Sequence, residues 1–289
     1  MRNLARFNVG RALIEFLSKI STKVSELSVV SESNTLFPDI NVDSVVTSLK
    51  KEGLYLGINL TEEIVKEIVW FAYSQPCYGY RQPKLGFYYH QKQLAESYYN
   101  QKLALAGYFN TSSLCTAINK LQNDPKLLAI AAKYLEHKPV HQGNLLWWSF
   151  TGDITDKERR QSFQMFHYDI DDYRFLKFFF YLTDVDEFNG PHVCIRGSHK
   201  HKKLSHLLLP KRETDAEIFN SYGRDSLISI CGQAGFGFAE DTFCFHKGTT
   251  PVNKDRLMLQ VEFGTTDYGM QHDIRKTSLL QLMGQPDSI

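Results

Sequence analysis

The stretch that most constrains this chain is Phe163-Gln-Met-Phe-His-Tyr-Asp169, which sets His167 and Asp169 one residue apart. On an extended strand, residues i and i+2 project from the same face. An imidazole nitrogen and a carboxylate oxygen then stand side by side, and a third ligand would complete a metal site. His246, in Asp241-Thr-Phe-Cys-Phe-His246-Lys-Gly-Thr-Thr-Pro251, is the candidate. Two histidines and one carboxylate form a facial triad that leaves positions open for oxygen and a substrate at non-haem iron(II). A bare His-x-Asp often arises by chance, and its bland reading is an ordinary exposed histidine. The segment Asp255-Arg-Leu-Met-Leu-Gln-Val-Glu-Phe263 adds weight. It reads as a strand that brings Arg256 into the same cavity, and a guanidinium fork binds a carboxylate bidentately.

In chain order, the matching pieces are His167-Tyr-Asp169, Tyr181-Leu-Thr-Asp-Val-Asp186, Asn189-Gly-Pro191, Gly197-Ser-His-Lys200, Asp241 with His246, and Asn253 with Arg256. On these residues the sequence resembles the phytanoyl-CoA dioxygenase family of iron(II)- and 2-oxoglutarate-dependent oxygenases. The resemblance implies a double-stranded β-helix (jelly roll), with iron(II) on His167, Asp169 and His246. It also implies that Arg256 holds the distal carboxylate of 2-oxoglutarate, and that O2 is consumed. Related halogenases lack the carboxylate, so Asp169 points to hydroxylation or desaturation. The chain departs from the family pattern at Arg196, where a proline is usual. It departs again at Gly248, where many members carry a hydroxyl, and the nearest hydroxyl here falls on Thr249. The Arg256 spacing is one residue shorter than in some members.

At 289 residues, with 43% apolar and 22% charged residues, the composition is that of an ordinary globular protein. A formal net charge of +1 gives no basic stripe for nucleic acid. The 20 Phe and 15 Tyr suit a strand-rich core. Cys77, Cys115, Cys194, Cys231 and Cys244 are odd in number and unpaired in spacing, which favours a reducing cytoplasm over a disulfide framework. No apolar run reaches the length of a membrane span. The Arg-containing N-terminus lacks a secretory core, and it reads as an amphipathic helix or, less simply, a mitochondrial presequence.

The expected organisation is a β-rich α+β single oxygenase domain over 1–289. Residues 1–140 form a mainly helical layer, 144–265 the jelly-roll core and 266–289 a C-terminal tail. Apolar spacing over 1–30 is close to helical. A helix is expected over 43–53, with Asp43 as N-cap and Gly53 as stop. Others are expected over 62–74, 111–122 and 125–136, the last with Pro125 in its first turn. Residues 54–60 are a strand candidate. Within 77–110, the aromatic and basic stretch 78–89 reads as a surface loop with aromatic anchors, the competing reading being a loop over the active site. Strands are expected at 145–150, 163–169, 175–183, 192–195, 227–231, 235–239, 242–246 and 256–263.

Lys177, Phe179, Tyr181 and Thr183 share one face of their strand. By resemblance this register lines the cavity, so Lys177 and Tyr181 become candidate contacts to 2-oxoglutarate or to an anionic end of the substrate. The competing reading is a lysine that snorkels outward. The basic run 199–206 reads as a solvated loop, the competing reading being a contact to an anionic substrate or a metal. Asp171 and Asp172 read as solvated loop acids, the competing reading being hydrogen-bond acceptors behind the metal pair, and His192 reads as a packing or surface residue. A small-molecule substrate with a polar or anionic end is expected. Two rivals remain: a non-catalytic jelly roll that senses 2-oxoglutarate or another small molecule, and a zinc hydrolase. The hydrolase needs a general base by the metal-bound water and leaves Arg256 unexplained.

Overall fold

A computed structural model describes residues 34–208, 211–269 and 271–285. The helical pattern expected over 1–30 lies outside them. The helices are α1 (Val42–Glu52), α2 (Glu62–Ser74), α3 (Lys92–Tyr98), α4 (Thr111–Leu114), α5 (Thr116–Gln122), α6 (Pro125–Leu135), α7 (Asp156–Gln161), α8 (Leu204–Leu208) and α9 (Asp215–Tyr222). The strands are β1 (Leu54–Leu56), β2 (Cys77–Gly79), β3 (Gly86–Phe87), β4 (Leu105–Gly107), β5 (Val140–Ser149), β6 (Phe175–Tyr181), β7 (His192–Ile195), β8 (Leu227–Ile230), β9 (Gly237–Glu240), β10 (His246–Gly248) and β11 (Arg256–Gly264).

Local chemistry explains the helix limits. Asn41, not Asp43, caps α1 by accepting from the Ser44 N–H, and Gly53 ends the helix in the left-handed region. Asp124 caps α6 by accepting from Lys126 and Leu127, with Pro125 following it. The helix expected over 111–122 is broken at Cys115, whose backbone is extended, and becomes α4 and α5.

An eight-stranded antiparallel sheet runs in the order β1-β9-β6-β11-β5-β4-β2-β3. A second sheet, β10-β7-β8, is also antiparallel. This is the jelly roll expected from the sequence. The segment 77–110, with its surface loop expected over 78–89, instead carries β2, β3 and β4, which extend the large sheet with buried residues. Glycines and aromatics in that segment hid three very short strands. The strand expected at 242–246 begins only at His246. Asp241 accepts from the backbone N–H groups of Phe243 and Cys244 and turns the chain first.

The strands β6 and β11 explain how the layers are arranged. Every residue of β6 is buried, which marks a strand covered on both faces. Phe178 and Phe180, with Leu257, Leu259, Val261 and Phe263 of β11, join Leu49, Ile68, Ile130 and Leu135 in the core beneath the helices. The alternate residues turn the other way. Phe179, Tyr181 and Met258 pack with Trp147 and Phe238 in a second cluster. Between the two sheets, this second face leaves a cavity of ≈ 210 Å³. No helix among the described residues is long and apolar enough to cross a membrane.

Asp172, expected in a solvated loop, is fully buried and ties the start of β6 to the end of β11. It accepts from the Thr265 N–H (2.7 Å) and hydroxyl (2.6 Å), the Thr266 N–H (3.0 Å), the Tyr268 hydroxyl (2.9 Å) and its own neighbour Tyr173 (2.7 Å). Removing a carboxylate with so many donors leaves several of them buried and unsatisfied. Asp172→Ala is expected to lower stability by about 2–4 kcal/mol in urea unfolding. An unchanged midpoint would contradict this account of the strand junction.

Candidate metal centre and its cavity

Residues 163–169 do not form a full ladder strand. Phe163 sits in a turn with φ +60°, and Phe166 and His167 make isolated bridges, to Glu213 and to His246. The His167 N–H donates to the His246 carbonyl (3.0 Å), and the His246 N–H returns the bond (2.8 Å). Asp169 donates from its N–H to the Thr242 carbonyl (2.8 Å). The extended backbone keeps the i, i+2 relation, so His167 and Asp169 still project together. The Gly-Ser-His turn helps to fix the partner segment. The Ser198 hydroxyl donates to the Ile195 carbonyl (2.7 Å) and accepts from the Phe245 N–H (2.8 Å), next to His246.

His167, Asp169 and His246 each offer one ligand atom, and the three atoms lie within 4.8 Å of one another. The His167 Nε2 is 3.8 Å from Asp169 Oδ1, and the His246 Nε2 is 3.6 Å from Asp169 Oδ2. The other ring nitrogens are committed. His167 Nδ1 donates to the Met165 carbonyl (2.9 Å), and His246 Nδ1 donates to the Cys244 carbonyl (3.0 Å). A carbonyl only accepts, so each Nδ1 carries the proton and each Nε2 presents a lone pair inward. Burial holds both imidazoles below their usual pKa, and for His167 the neighbouring His246 adds to the effect. Burial pushes Asp169 upward, but Lys177 and the two imidazoles outweigh it and keep the carboxyl well below the usual range. Two neutral imidazoles and an ionised carboxylate are a donor set that fits a divalent transition metal.

Arg256 opens β11 and lines the same cavity. One terminal nitrogen donates to the Gly190 carbonyl and the other to Ser149 Oγ (2.9 Å). Its buried Nε has no hydrogen-bond partner. Among the described residues no carboxylate is paired with it. A buried guanidinium without a counter-acid is costly, and it suits an anion brought from outside. Two glycines shape its surroundings. Gly190 has φ +74°, and a Cβ there would meet Pro251 at 2.8 Å. A Cβ on Gly248 would lie 3.3 Å from Arg256 Nη2, so glycine at this position leaves the guanidinium open to the cavity.

The other sequence candidates divide. Lys177 faces the cavity rather than solvent, but its ammonium is directed at protein acids. It lies 2.7 Å from Asp169 Oδ2, 2.7 Å from Asp171 Oδ2 and 3.7 Å from Glu262 Oε1. Burial alone would lower its pKa, and the three carboxylates together raise it instead. Thr249 is not among the lining residues, because its hydroxyl donates to the Pro191 carbonyl (2.8 Å). Tyr181 is also absent from the lining. Its hydroxyl donates to the Ile230 carbonyl (2.7 Å) and accepts from the His192 N–H (2.9 Å), which ties β6 to β7 and β8.

Several residues not proposed as site residues also line the cavity. His192 is buried in the wall, donates from Nε2 to Glu240 (2.7 Å) and stacks on the His246 ring at 5.5 Å. Gln260 and Glu262 follow Arg256 at period two, and that alternation was a signal for both. Burial raises the pKa of Glu262 well above the usual range, against the opposing pull of Lys177. Arg81 comes from the aromatic segment first read as surface loop. In the basic run, His199 and His206 are packed rather than solvated. His199 Nδ1 is 3.3 Å from Cys244 Sγ, and His206 lies against Tyr222.

No protein-family model and no curated protein matches the sequence. Solved structures do match in shape. HygX from Streptomyces hygroscopicus, solved with nickel, 2-oxoglutarate and hygromycin B, superposes with a TM-score of 0.53 at 14% identity, over 83% of this chain and 94% of that one. EctD from S. alaskensis with bound Fe gives 0.51 at 13%, over 86% and 85%. SnoN, a non-heme alpha ketoglutarate dependent epimerase from nogalamycin biosynthesis, gives 0.51 at 10%, over 77% and 82%. The chain thus has the jelly-roll fold of these metal- and 2-oxoglutarate-binding proteins.

The two hydrogen bonds made by the Tyr181 hydroxyl supply a test of how the sheets are held. Tyr181→Phe leaves the Ile230 carbonyl and the His192 N–H without a partner, at a cost of about 1–3 kcal/mol. The expected result is a lower urea midpoint with 2-oxoglutarate binding retained. Loss of 2-oxoglutarate binding without loss of stability would restore Tyr181 as a ligand contact.

Proposed function

We propose that the protein is an iron(II)- and 2-oxoglutarate-dependent oxygenase that hydroxylates or desaturates a small molecule and releases succinate and carbon dioxide. One observation supports this above the others. A buried set of two imidazoles and a carboxylate shares its cavity with Arg256, a buried arginine with no paired carboxylate among the described residues. His167, Asp169 and His246 would hold the metal, and Arg256 would take the distal carboxylate of 2-oxoglutarate. Bound there, iron(II) with 2-oxoglutarate and O2 would supply the oxidising power that removes hydrogen from a substrate carbon.

The chain's own part is ligation, orientation and exclusion of water. The two Nδ1–H groups lock the ring tautomers, so neither histidine must shed a proton when a metal binds. Arg256 sits in a fixed fork between Gly190 and Ser149, which preorganises it for a planar carboxylate. Trp147, Phe179 and Met258 give the cavity an apolar wall that strengthens these contacts. Gln260, Glu262 and Arg81 favour a polar substrate. Asp171 disfavours a substrate anion placed beside it. Hygromycin B bound in HygX is a precedent for a small-molecule ligand in this fold. Within the fold, the motif order from His167 to Arg256 supports a place near the phytanoyl-CoA dioxygenase family.

Anaerobic iron(II) with 2-oxoglutarate is expected to give a weak visible charge-transfer band, absent in His167→Ala. Arg256→Ala is expected to weaken 2-oxoglutarate binding by about two orders of magnitude, the loss of two charge-assisted hydrogen bonds. Succinate release in air without the band would refute the assigned ligands. Tight 2-oxoglutarate binding with no succinate from any candidate substrate would favour the sensor.

A further inference from the structure

We infer that Lys177 is a positioning residue that restricts Asp169 to one metal bond and so keeps a coordination position open for the keto acid. This rests on the metal-site reading above. The two oxygens of Asp169 are nearly equivalent with respect to the histidines, at 3.8 Å from His167 Nε2 and 3.6 Å from His246 Nε2. Nothing in the triad itself selects one oxygen, and a carboxylate can bind a cation through one or both. Lys177 breaks the symmetry. Its ammonium lies 2.7 Å from Oδ2. A charge-assisted hydrogen bond of that length draws electron density from Oδ2 and leaves Oδ1 the better donor.

The ammonium is fixed in this task. A second of its protons goes to Asp171 at 2.7 Å, and Glu262, its register partner on β11, flanks it at 3.7 Å. The strand that bears it is hydrogen-bonded on both sides, to β11 and β9. Its side chain is only 7% exposed, so it does not swing away to solvent. With Lys177 removed, Oδ2 is free to join Oδ1 on the metal. Asp169 then takes the position that a chelating keto acid needs.

The test uses the full chain with cobalt(II) under anaerobic conditions, and then 2-oxoglutarate. An orienting group that merely aligns a ligand weakens metal binding by about 10–100-fold when it is lost. Here Lys177→Met is expected to bind cobalt(II) within about threefold of the parent, because the freed oxygen compensates. Its cobalt(II) visible spectrum is expected to change before any keto acid is added. The affinity of the cobalt(II) form for 2-oxoglutarate is expected to fall by about tenfold or more, and Lys177→Arg to restore both. Unchanged 2-oxoglutarate affinity would overturn the inference. So would an unchanged cobalt(II) spectrum with weakened 2-oxoglutarate, which would mean that Lys177 touches the keto acid itself. Loss of cobalt(II) affinity would overturn it too. Because the Met variant strands two acids, Lys177→Met/Glu262→Gln is measured alongside it to separate misfolding from mispositioning. If parent and His167→Ala bind cobalt(II) alike, it is the metal-site reading that fails.

Discussion

The alternation of side chains along β6 and β11 is the constraint from which the rest of the structure follows. Leu257, Leu259, Val261 and Phe263 are locked into the dry core beneath the helices. Arg256, Met258, Gln260 and Glu262 are thereby turned to the cavity. A strand cannot move one set without the other, and a slip of one residue would exchange them. The cavity wall therefore inherits the rigidity of a close-packed core. The site needs no separate scaffold.

Charge is sorted along the same strand. Arg256 and Glu262 are six residues apart, about 20 Å along an extended chain. At one end stands the Arg256 guanidinium, with which no carboxylate among the described residues is paired. At the other, Asp169, Asp171 and Glu262 surround a single ammonium. An incoming dianion meets, at the Arg256 end, a guanidinium with no paired carboxylate among the described residues, which favours that end for its carboxylate. Burial strengthens this sorting, because low-dielectric surroundings screen little.

Much of this was legible in the sequence because it depends on short-range periodicity. The pairing of His167 with Asp169 and the helix over 125–136 each follow from spacing and a cap. The arrival of His246 and Arg256 at one cavity came from motif order. What escaped has a different physical origin. Thr249 and Tyr181 carry hydroxyls of the right kind, but their partners, the Pro191 and Ile230 carbonyls, belong to distant backbone. The strands β2 and β3 are held by neighbours rather than by propensity, so glycines and aromatics masked them. Asp172 reads as one more loop acid until the four donors from Thr265, Thr266 and Tyr268 are in place around it. Lys177 was visible as an anomaly in an apolar run, yet its partners Asp171 and Glu262 were fixed only by the tertiary register.

The reciprocal backbone bonds between His167 and His246 have a bearing on how such a chain tolerates change. The distance between the two imidazoles is measured off by main-chain amides, whose geometry is the same for any side chain. Insertions in the loops that join β6, β7, β8 and β9 between these residues can lengthen or reshape those loops, provided that the strands and this one clasp stay in place. Diversity of substrate can accumulate in the intervening loops while the two rings stay at a constant spacing.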